Sequence, residues 1–217
     1  LLGAIDNGSG VWANGYQNGD DIYHPTTDGH REFTYAMVPS LFDAIDAGKK
    51  QPVRVIGTSY SLADKRVLEF TPEETVHPFT ISFKVKGTAD GIIASFANGG
   101  NATGTLKIQD GVVVYDSPLT GEIKGTVNVT DNQWHVVSLT HYYAQGRTLL
   151  YTDKVLAGEL DEKLTVGKFI VGDNTFTVGR EYSELFFYRS AMVQEEIDKL
   201  CDGRMLKSSL EIYAPLD

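Results

Sequence analysis

From Val53 to the end of the chain, apolar and polar residues alternate along short stretches that are separated by turn residues. The clearest stretch is FTISFKVKG, which begins at Phe79 and has an aromatic or aliphatic residue at every second position. Successive side chains of a β-strand point to opposite faces, so this pattern predicts a strand with one buried face. Similar stretches recur about every 8 to 12 residues, a spacing that is typical of an antiparallel β-sandwich.

Turn residues divide this region into strands. Asp110-Gly111 lies between two apolar runs and predicts a two-residue hairpin, and Gln145-Gly146 and Asp153-Lys154 predict further turns. The segment MVQEEIDKLCDG predicts one helix that ends at Gly203. The closing segment SSLEIYAPLD predicts a terminal strand, which we expect to pair with the segment RVIGTSY or the segment RVLEF near the start of the sandwich.

Residues 1–50 have a different pattern. The run LLGAID suits the end of a buried strand, and NGSGVWANGYQNGDD is a loop because it is rich in glycine and asparagine. The segment TTDGHREFTYAMVPSLFDAIDAGKK predicts a helix that is capped by Thr26, Thr27 or Asp28, is kinked or split at Pro39 and ends at Gly48. We therefore divide the chain into an α/β segment, residues 1–50, and a sandwich, residues 53–217, joined by the linker KKQP.

An apolar stripe on the predicted N-terminal helix needs a cover. It consists of Phe33, Met37, Leu41 and Ile45, which repeat at every fourth residue. An exposed stripe of this kind is unfavourable in water. We expect it to pack on the sandwich or on a second copy of the chain, which would make a homodimer.

The net charge of −10 and the absence of a basic stripe argue against nucleic acid as a partner. No apolar run approaches the roughly 20 residues of a membrane helix. The single cysteine, Cys201, excludes an internal disulfide and is best explained as a small buried residue. We expect no cofactor, although Asp90, or Asp173 with Asn174, has the oxygen ligands that Ca²⁺ prefers.

Asp21 and His24 lie three residues apart just after the glycine-rich loop. This spacing can bring a carboxylate to one imidazole nitrogen and leave the other nitrogen free to accept a proton. An aspartate that orients a histidine is one half of a hydrolytic triad, which also needs a nucleophile and an oxyanion hole. Trp12, in the same loop, is a candidate to line a substrate cleft or to anchor the loop.

Residues from about 53 to 217 resemble the laminin-G-like, concanavalin A-like jelly-roll modules that are common in secreted bacterial proteins. The matching stretches are FTISFKVKG, DNQWHVVSLTHYY, LLYTDKVLAGE, FTVGR and LFFYRSAMVQEEIDKL. The resemblance implies a mainly β, antiparallel, lectin-like sandwich that binds glycans or packs beside a catalytic domain. It also implies a secreted, periplasmic or cell-surface protein.

Residues 1 to about 48 are similar to the carboxyl end of SGNH (GDSL-type) hydrolases, whose last block is Asp-x-x-His followed by a helix. Here the block is Asp21-Ile22-Tyr23-His24-Pro25, with Gly29-His30 after it. The resemblance implies that His24 is the general base and that Asp21 orients it. The family's Gly-Asp-Ser block is absent, and Ser9 and Ser59 are poor substitutes. We expect the nucleophile to lie on chain that precedes Leu1 and this fragment to be inactive.

Two alternatives stay open. The chain could be a stand-alone glycan-binding or interaction module, with surface tyrosines as a platform: Tyr143, Tyr142, Tyr151 or Tyr115. Alternation sends Tyr142 and Tyr143 to opposite faces, so at most one of them joins the core. A glucanase, which needs two nearby carboxylates, has only weak candidates in Glu196 with Asp198 and in the run Glu159, Asp161 and Glu162. The latter run looks like a solvated turn.

Overall fold

The computed structural model describes residues 11–61, 67–74, 76–172 and 179–216. Three predicted features lie outside these ranges: the strand end in residues 1–6, Ser9, and the loop of Asp173 and Asn174. In chain order, the described strands and helices are β1 (Gln17–Asn18), β2 (Asp21–Pro25), α1 (Thr27–Tyr35), α2 (Leu41–Asp46), β3 (Tyr60–Ser61), β4 (Leu68–Phe70), β5 (Phe79–Lys86), β6 (Gly91–Asn98), β7 (Asn101–Gln109), β8 (Val112–Ser117), β9 (Gly121–Asn128), β10 (His135–Tyr142), β11 (Arg147–Thr152), β12 (Val155–Asp161), β13 (Lys168–Val171), β14 (Glu181–Tyr188), α3 (Gln194–Cys201) and β15 (Leu210–Ala214).

The described strands form two large sheets and one small hairpin. The first sheet has the order β12-β11-β10-β5-β14-β15, with β3 also paired to β14. The second sheet has the order β4-β13-β6-β7-β8-β9, and β1 pairs with β2. Every pairing between the described strands is antiparallel. The predicted mainly β, antiparallel sandwich is confirmed.

The core lies between the two sheets and follows the period-two pattern. Phe79, Ile81, Phe83 and Val85 on β5 are all buried in it. Burying one such side chain stabilises a fold by about 1.5–3 kcal/mol. The hairpin between β7 and β8 turns at Asp110, with a φ of 54°, and Gly111, with a φ of 75°. These positive φ angles are those of the two-residue turn that the sequence predicts.

The outer face of β5 is also buried, which the alternating pattern did not predict. Thr80 and Ser82 are 0% and 2% exposed. Their hydroxyl groups pair across to β10, Thr80 with Thr140 at 2.9 Å and Ser82 with Ser138 at 2.8 Å. A second apolar cluster, which includes Met192 and the inner face of α3, covers this outer face of β5. Hydroxyl pairs satisfy one another, so polar residues can occupy this buried face.

The expected pairing of the terminal strand is wrong. β15 pairs with β14, and neither β3 nor β4 is its partner. β4 belongs to the other sheet, where it pairs with β13. β3 uses the Glu181–Tyr182 end of β14, and β15 uses the Leu185–Tyr188 part of the same strand. The two chain segments therefore share one neighbour and do not pair with each other.

The N-terminal helix is split at Pro39, as predicted, into α1 and α2. The Thr26 side chain caps α1 by accepting a hydrogen bond from the Gly29 N–H at 3.2 Å. Gly48, with a φ of 62°, follows the end of α2. None of the described helices is long and apolar enough to cross a membrane.

We expected the apolar stripe to pack on the sandwich or on a second copy of the chain, and the sandwich does not cover most of its length, so the second copy stays a prediction. Phe33 is half-buried, but Met37, Leu41 and Ile45 are 41%, 42% and 65% exposed. The break at Pro39 explains the difference, because the fourth-residue repeat holds only along an unbroken helix. Phe42, also on α2, is 65% exposed.

Candidate functional site

Asp21 and His24 are in direct contact on β2. The Asp21 Oδ2 atom lies 2.6 Å from Nδ1 of His24. Asp21 Oδ1 accepts hydrogen bonds from the backbone N–H groups of Tyr23, at 2.8 Å, and His24, at 3.2 Å. The hydrogen bond from His24, followed by that from the Tyr23 N–H, lowers the pKa of Asp21. The carboxylate therefore stays ionised and holds the imidazole in one orientation.

The His24 imidazole is open to solvent. Its side chain is 71% exposed. With Nδ1 directed at the carboxylate, Nε2 is the nitrogen that can take up a proton. Ser59 donates a hydrogen bond to Glu181 at 2.9 Å, so its hydroxyl serves another contact. The contact between the carboxylate and the imidazole that the spacing predicts is therefore present.

Trp12 ties the β1–β2 hairpin to the first helix. Its Nε1 donates a hydrogen bond to the Ile22 carbonyl oxygen at 2.9 Å. Its ring meets Phe33 of α1 edge to face, with 6.5 Å between the ring centroids. Both contacts anchor the loop, which is the second of the two roles considered from the sequence.

Tyr143 lines a cleft of about 400 Å³ between the N-terminal segment and the loops at one end of the sandwich. The N-terminal segment and α1 supply one wall, and the loops before β5, after β10 and after β12 supply the other. We call this the junction cleft. Its lining residues are Asn14, Gly15, Tyr16, Asp28, Arg31, Glu32, Tyr35, His77, Tyr143 and Lys163.

A second carboxylate–imidazole pair lies in the junction cleft. Nδ1 of His77 is 2.9 Å from Oε1 of Glu32, and Glu32 is only 4% exposed. The His77 ring stacks on Tyr143, with centroids 3.9 Å apart, and contacts Tyr35 at 4.4 Å. Sequence reasoning missed this pair because its members are 45 residues apart and belong to different segments. No local pattern links them.

The phenols of Tyr16 and Tyr143 in the junction cleft stay protonated at neutral pH. Burial, with a smaller contribution from Glu32, raises the pKa of Tyr16 to about 12. The same two causes raise the pKa of Tyr143. A protonated phenol both donates and accepts a hydrogen bond. The Lys163 ammonium lies over both rings, 5.1 Å from the Tyr143 centroid and 5.9 Å from that of Tyr16.

The other tyrosines proposed for a glycan platform are buried. Tyr115, Tyr142 and Tyr151 are 0%, 8% and 3% exposed. Tyr115 belongs to the core between the sheets, and Tyr142 and Tyr151 lie in the cluster under α3. The prediction that at most one of Tyr142 and Tyr143 joins the core is confirmed, because Tyr143 lies in the junction cleft.

Apart from Asp161, the carboxylates considered for a glucanase have other partners in the described part of the chain. Glu162, which the sequence placed in a solvated run, is 6% exposed and accepts hydrogen bonds from Tyr115 at 2.9 Å and Ser117 at 2.6 Å. Its neighbour Glu159 pairs with Arg147. On α3, Glu196 accepts a hydrogen bond from the Val193 N–H and Asp198 accepts one from Gln194.

Asp90, a candidate calcium ligand, supports a turn. Its two carboxylate oxygens accept hydrogen bonds from the backbone N–H groups of Asp110, at 2.9 Å, and Gly111, at 3.1 Å. Both bonds stabilise the β7–β8 hairpin. Within the described ranges, no group of three or more histidine, cysteine or acidic side chains has an arrangement that could hold a metal ion.

Comparison with known proteins identifies the fold of the sandwich. No protein-family model matches the chain, and no curated protein matches it. A putative carbohydrate binding protein from Bacteroides ovatus has 16% identity and a TM-score of 0.53 over 69% of this chain and 48% of its own. Domains LG4-5 of the mouse laminin alpha1 chain have 14% identity and a TM-score of 0.50 over 68% and 46%.

The binding domain of botulinum neurotoxin DC, solved in complex with SialylT, also has 14% identity and a TM-score of 0.50, over 67% of this chain and 42% of its own. This chain therefore spans less than half the length of each of the three structures. The similarity covers the sandwich fold at low identity, so it concerns architecture and not individual site residues. It shows that the sandwich has the jelly-roll fold of laminin G and concanavalin A-like lectin domains.

Proposed function

We propose that this chain is a carbohydrate-binding module and that the junction cleft is its binding site. The observation that carries the proposal is the set of aromatic rings around the cleft: Tyr16, Tyr35, His77 and Tyr143. Sugars present apolar C–H faces that pack on aromatic rings and hydroxyl groups that need fixed donors and acceptors. The cleft offers both within one concave surface.

The fold supports this proposal. One structural neighbour is described as a putative carbohydrate binding protein, and another is a binding domain solved with SialylT. Domains of this architecture serve many functions, so the cleft, and not the fold alone, supports carbohydrate binding. A location outside the cell or at the cell surface is part of the proposal.

A glycan array probed with the chain, followed by calorimetric titration of the best ligand, tests the proposal. We expect Tyr143→Ala to weaken binding by about 2 kcal/mol, or about 30-fold, as truncation of a central aromatic contact does. Tyr23→Ala is the matched control, because Tyr23 is 80% exposed and lies outside the cleft. Equal affinity of the wild type and Tyr143→Ala, or an array without any bound glycan, would refute it.

A second candidate function is ester hydrolysis, as the SGNH resemblance implies. The 2.6 Å contact between Asp21 and His24 favours it. His24 would act as the general base, Asp21 would orient it, and a serine outside this chain would be the nucleophile. The substrate would be a carbohydrate or lipid ester, and the sandwich would hold the enzyme on its glycan.

The complete product of the encoding reading frame, assayed with p-nitrophenyl acetate, tests this second function. We expect His24→Ala and Asp21→Asn each to lower kcat by at least about 100-fold, since a general base contributes about 10²–10⁴-fold. Asp20→Asn, which changes the exposed neighbour of Asp21, should leave kcat unchanged. Activity that survives both substitutions would exclude the pair from catalysis.

A homodimer through α2 is a third part of the proposal. Leu41, Phe42 and Ile45 are exposed on this short helix, and water-exposed apolar patches favour association. Sedimentation velocity over a range of concentrations should show a dimer that Phe42→Ser weakens. A monomer at all concentrations would end this part of the proposal and leave the cleft unaffected.

A further inference from the structure

Among the described residues that line the junction cleft, one cation has no ion pair. Asp28 forms an ion pair with Arg31 at 2.6 Å, and Glu32 is paired with His77. These contacts engage four of the five charged or titratable residues, other than the tyrosines, that line the cleft. The fifth, Lys163, forms no ion pair with any carboxylate in the described part of the chain.

The backbone on both sides of Lys163 is fixed. The Glu162 N–H donates to the Gly146 carbonyl oxygen at 2.9 Å, and the Leu164 N–H donates to Nε2 of the buried His141 at 3.0 Å. The Glu162 side chain is itself buried and accepts hydrogen bonds from the hydroxyl groups of Tyr115 and Ser117. The exposed Lys163 side chain therefore starts from a rigid position at the rim of the cleft.

The Lys163 side chain is also guided toward the cleft. A Cβ atom at Gly146 would lie 3.7 Å from both Cγ and Cε of Lys163, so the aliphatic stem runs along this turn. The ammonium group then lies over the rings of Tyr143 and Tyr16. A cation that is held in advance over two aromatic faces loses less side-chain entropy when it meets an anion.

Resting on the proposed carbohydrate-binding function, we infer that the cleft takes a glycan with an anionic substituent, a carboxylate or a sulfate, and that Lys163 binds this anion. The sugar ring would lie against the neighbouring aromatic side chains. The net charge of −10 does not prevent an anion from binding at Lys163, because charges more than about 10 Å away are largely screened at 0.1 M salt. A direct contact with Lys163 is screened much less.

The test is a glycan array in which each core sugar is present in neutral, carboxylated and sulfated forms, with calorimetric titration of the best matched set. We expect the acidic members to bind at least about 10-fold more tightly than the neutral member, as a hydrogen bond between charged groups implies. Lys163→Met keeps the apolar stem and should remove this preference, because it lowers the affinity for the acidic members much more than the affinity for the neutral member. Lys50→Met, at an exposed position in the linker, is the control.

The outcomes separate this inference from the proposed function. If Tyr143→Ala weakens binding as expected but Lys163→Met binds acidic and neutral glycans as the wild type does, the chain binds carbohydrate and the anion inference is wrong. A wild-type preference for neutral glycans would also overturn it. If no glycan binds, both proposals fail together. Selectivity for the carboxylated or the sulfated member identifies which anion Lys163 recognises.

Discussion

Two histidines on the same strand, β10, are in opposite electrostatic surroundings. Nδ1 of His135 lies 3.0 Å from Asp153, and Nε2 lies 3.0 Å from Asp131. Burial alone would lower the pKa of His135, but the hydrogen bonds with Asp131 and Asp153 outweigh it and the pKa is raised. His141 is fully buried, and burial lowers its pKa to about 3, so it stays neutral.

The His135 cluster predicts a stability that falls as the pH rises. The folded-state pKa is above the unfolded value of about 6.5, so the stabilisation is full below that value and is lost as the pH rises through the folded-state pKa. His135→Asn cannot titrate. The difference in urea midpoint between wild type and His135→Asn should therefore shrink from pH 5.5 to 8.5, and a constant difference would contradict this assignment.

His141 predicts the opposite dependence. Its Nε2 accepts a hydrogen bond from the Leu164 N–H at 3.0 Å, so Nδ1 carries the proton and donates to Thr148. Between about pH 6.5 and pH 3, His141 is protonated in the unfolded chain but neutral in the folded chain. The free energy of unfolding therefore decreases as the pH falls through this range. His141→Gln keeps an acceptor near Leu164 but does not titrate. Its unfolding free energy, measured with urea from pH 7 to 4, should fall less steeply than that of the wild type.

At the scale of elements, Arg54 joins the segment before β3 to the end of α3. Its guanidinium binds both carboxylate oxygens of Glu184, at 2.5 and 3.0 Å, and donates to the carbonyl oxygens of Leu200 and Arg204. Burial alone would raise the pKa of Glu184, but the hydrogen bonds from Arg54 and Lys84 lower it. The segment that follows the KKQP linker is therefore held against the sandwich.

Arg54→Met tests this contact. The substitution keeps the apolar stem but leaves Glu184, which is 2% exposed, with Lys84 as its remaining cation. Removing one partner of a buried ion pair costs about 3–5 kcal/mol of stability. Because Lys84 still pairs with Glu184, we expect the loss of stability to lie near the lower value. Urea unfolding measures it, with Lys49→Met as the exposed control. A loss below about 1 kcal/mol, which is typical of a surface pair, would disprove a stabilising role.

At the scale of the whole molecule, a polar network holds the N-terminal segment on the sandwich. The Glu73 carboxylate accepts hydrogen bonds from the Ser40 N–H, at 2.8 Å, and the Ser40 hydroxyl. Arg189, buried beside Glu211, donates to the carbonyl oxygen of Tyr35 at the end of α1. This docking places the N-terminal wall of the junction cleft opposite the wall that the sandwich loops supply.

Glu73→Gln should loosen the N-terminal segment without unfolding the sandwich. The amide can accept one of the two Ser40 hydrogen bonds but carries no charge, so the start of α2 is held less firmly. Hydrogen exchange should become faster in residues 41–48 and stay unchanged in β5 and β10, because local opening and global unfolding are separate events. Faster exchange throughout the sandwich would show that the two parts unfold together.

Local chemistry determined much of what could be predicted. The strands came from the period-two pattern, the β7–β8 hairpin from Asp110-Gly111, and the division of the N-terminal helix from Pro39. Each of these depends on neighbouring residues or on the conformational limits of one residue. Which two strands pair depends instead on residues that are distant in the sequence. The partner of β15 was therefore predicted wrongly.

The sequence alone determined the fold class and the contact between Asp21 and His24, because strand periodicity and a three-residue spacing act within a few residues of chain. Only the tertiary structure decided that Glu32 meets His77, that Glu162 is buried and that Tyr143 opens into a cleft. The physical reason is burial: a polar side chain enters the interior only where distant segments supply its hydrogen-bond partners.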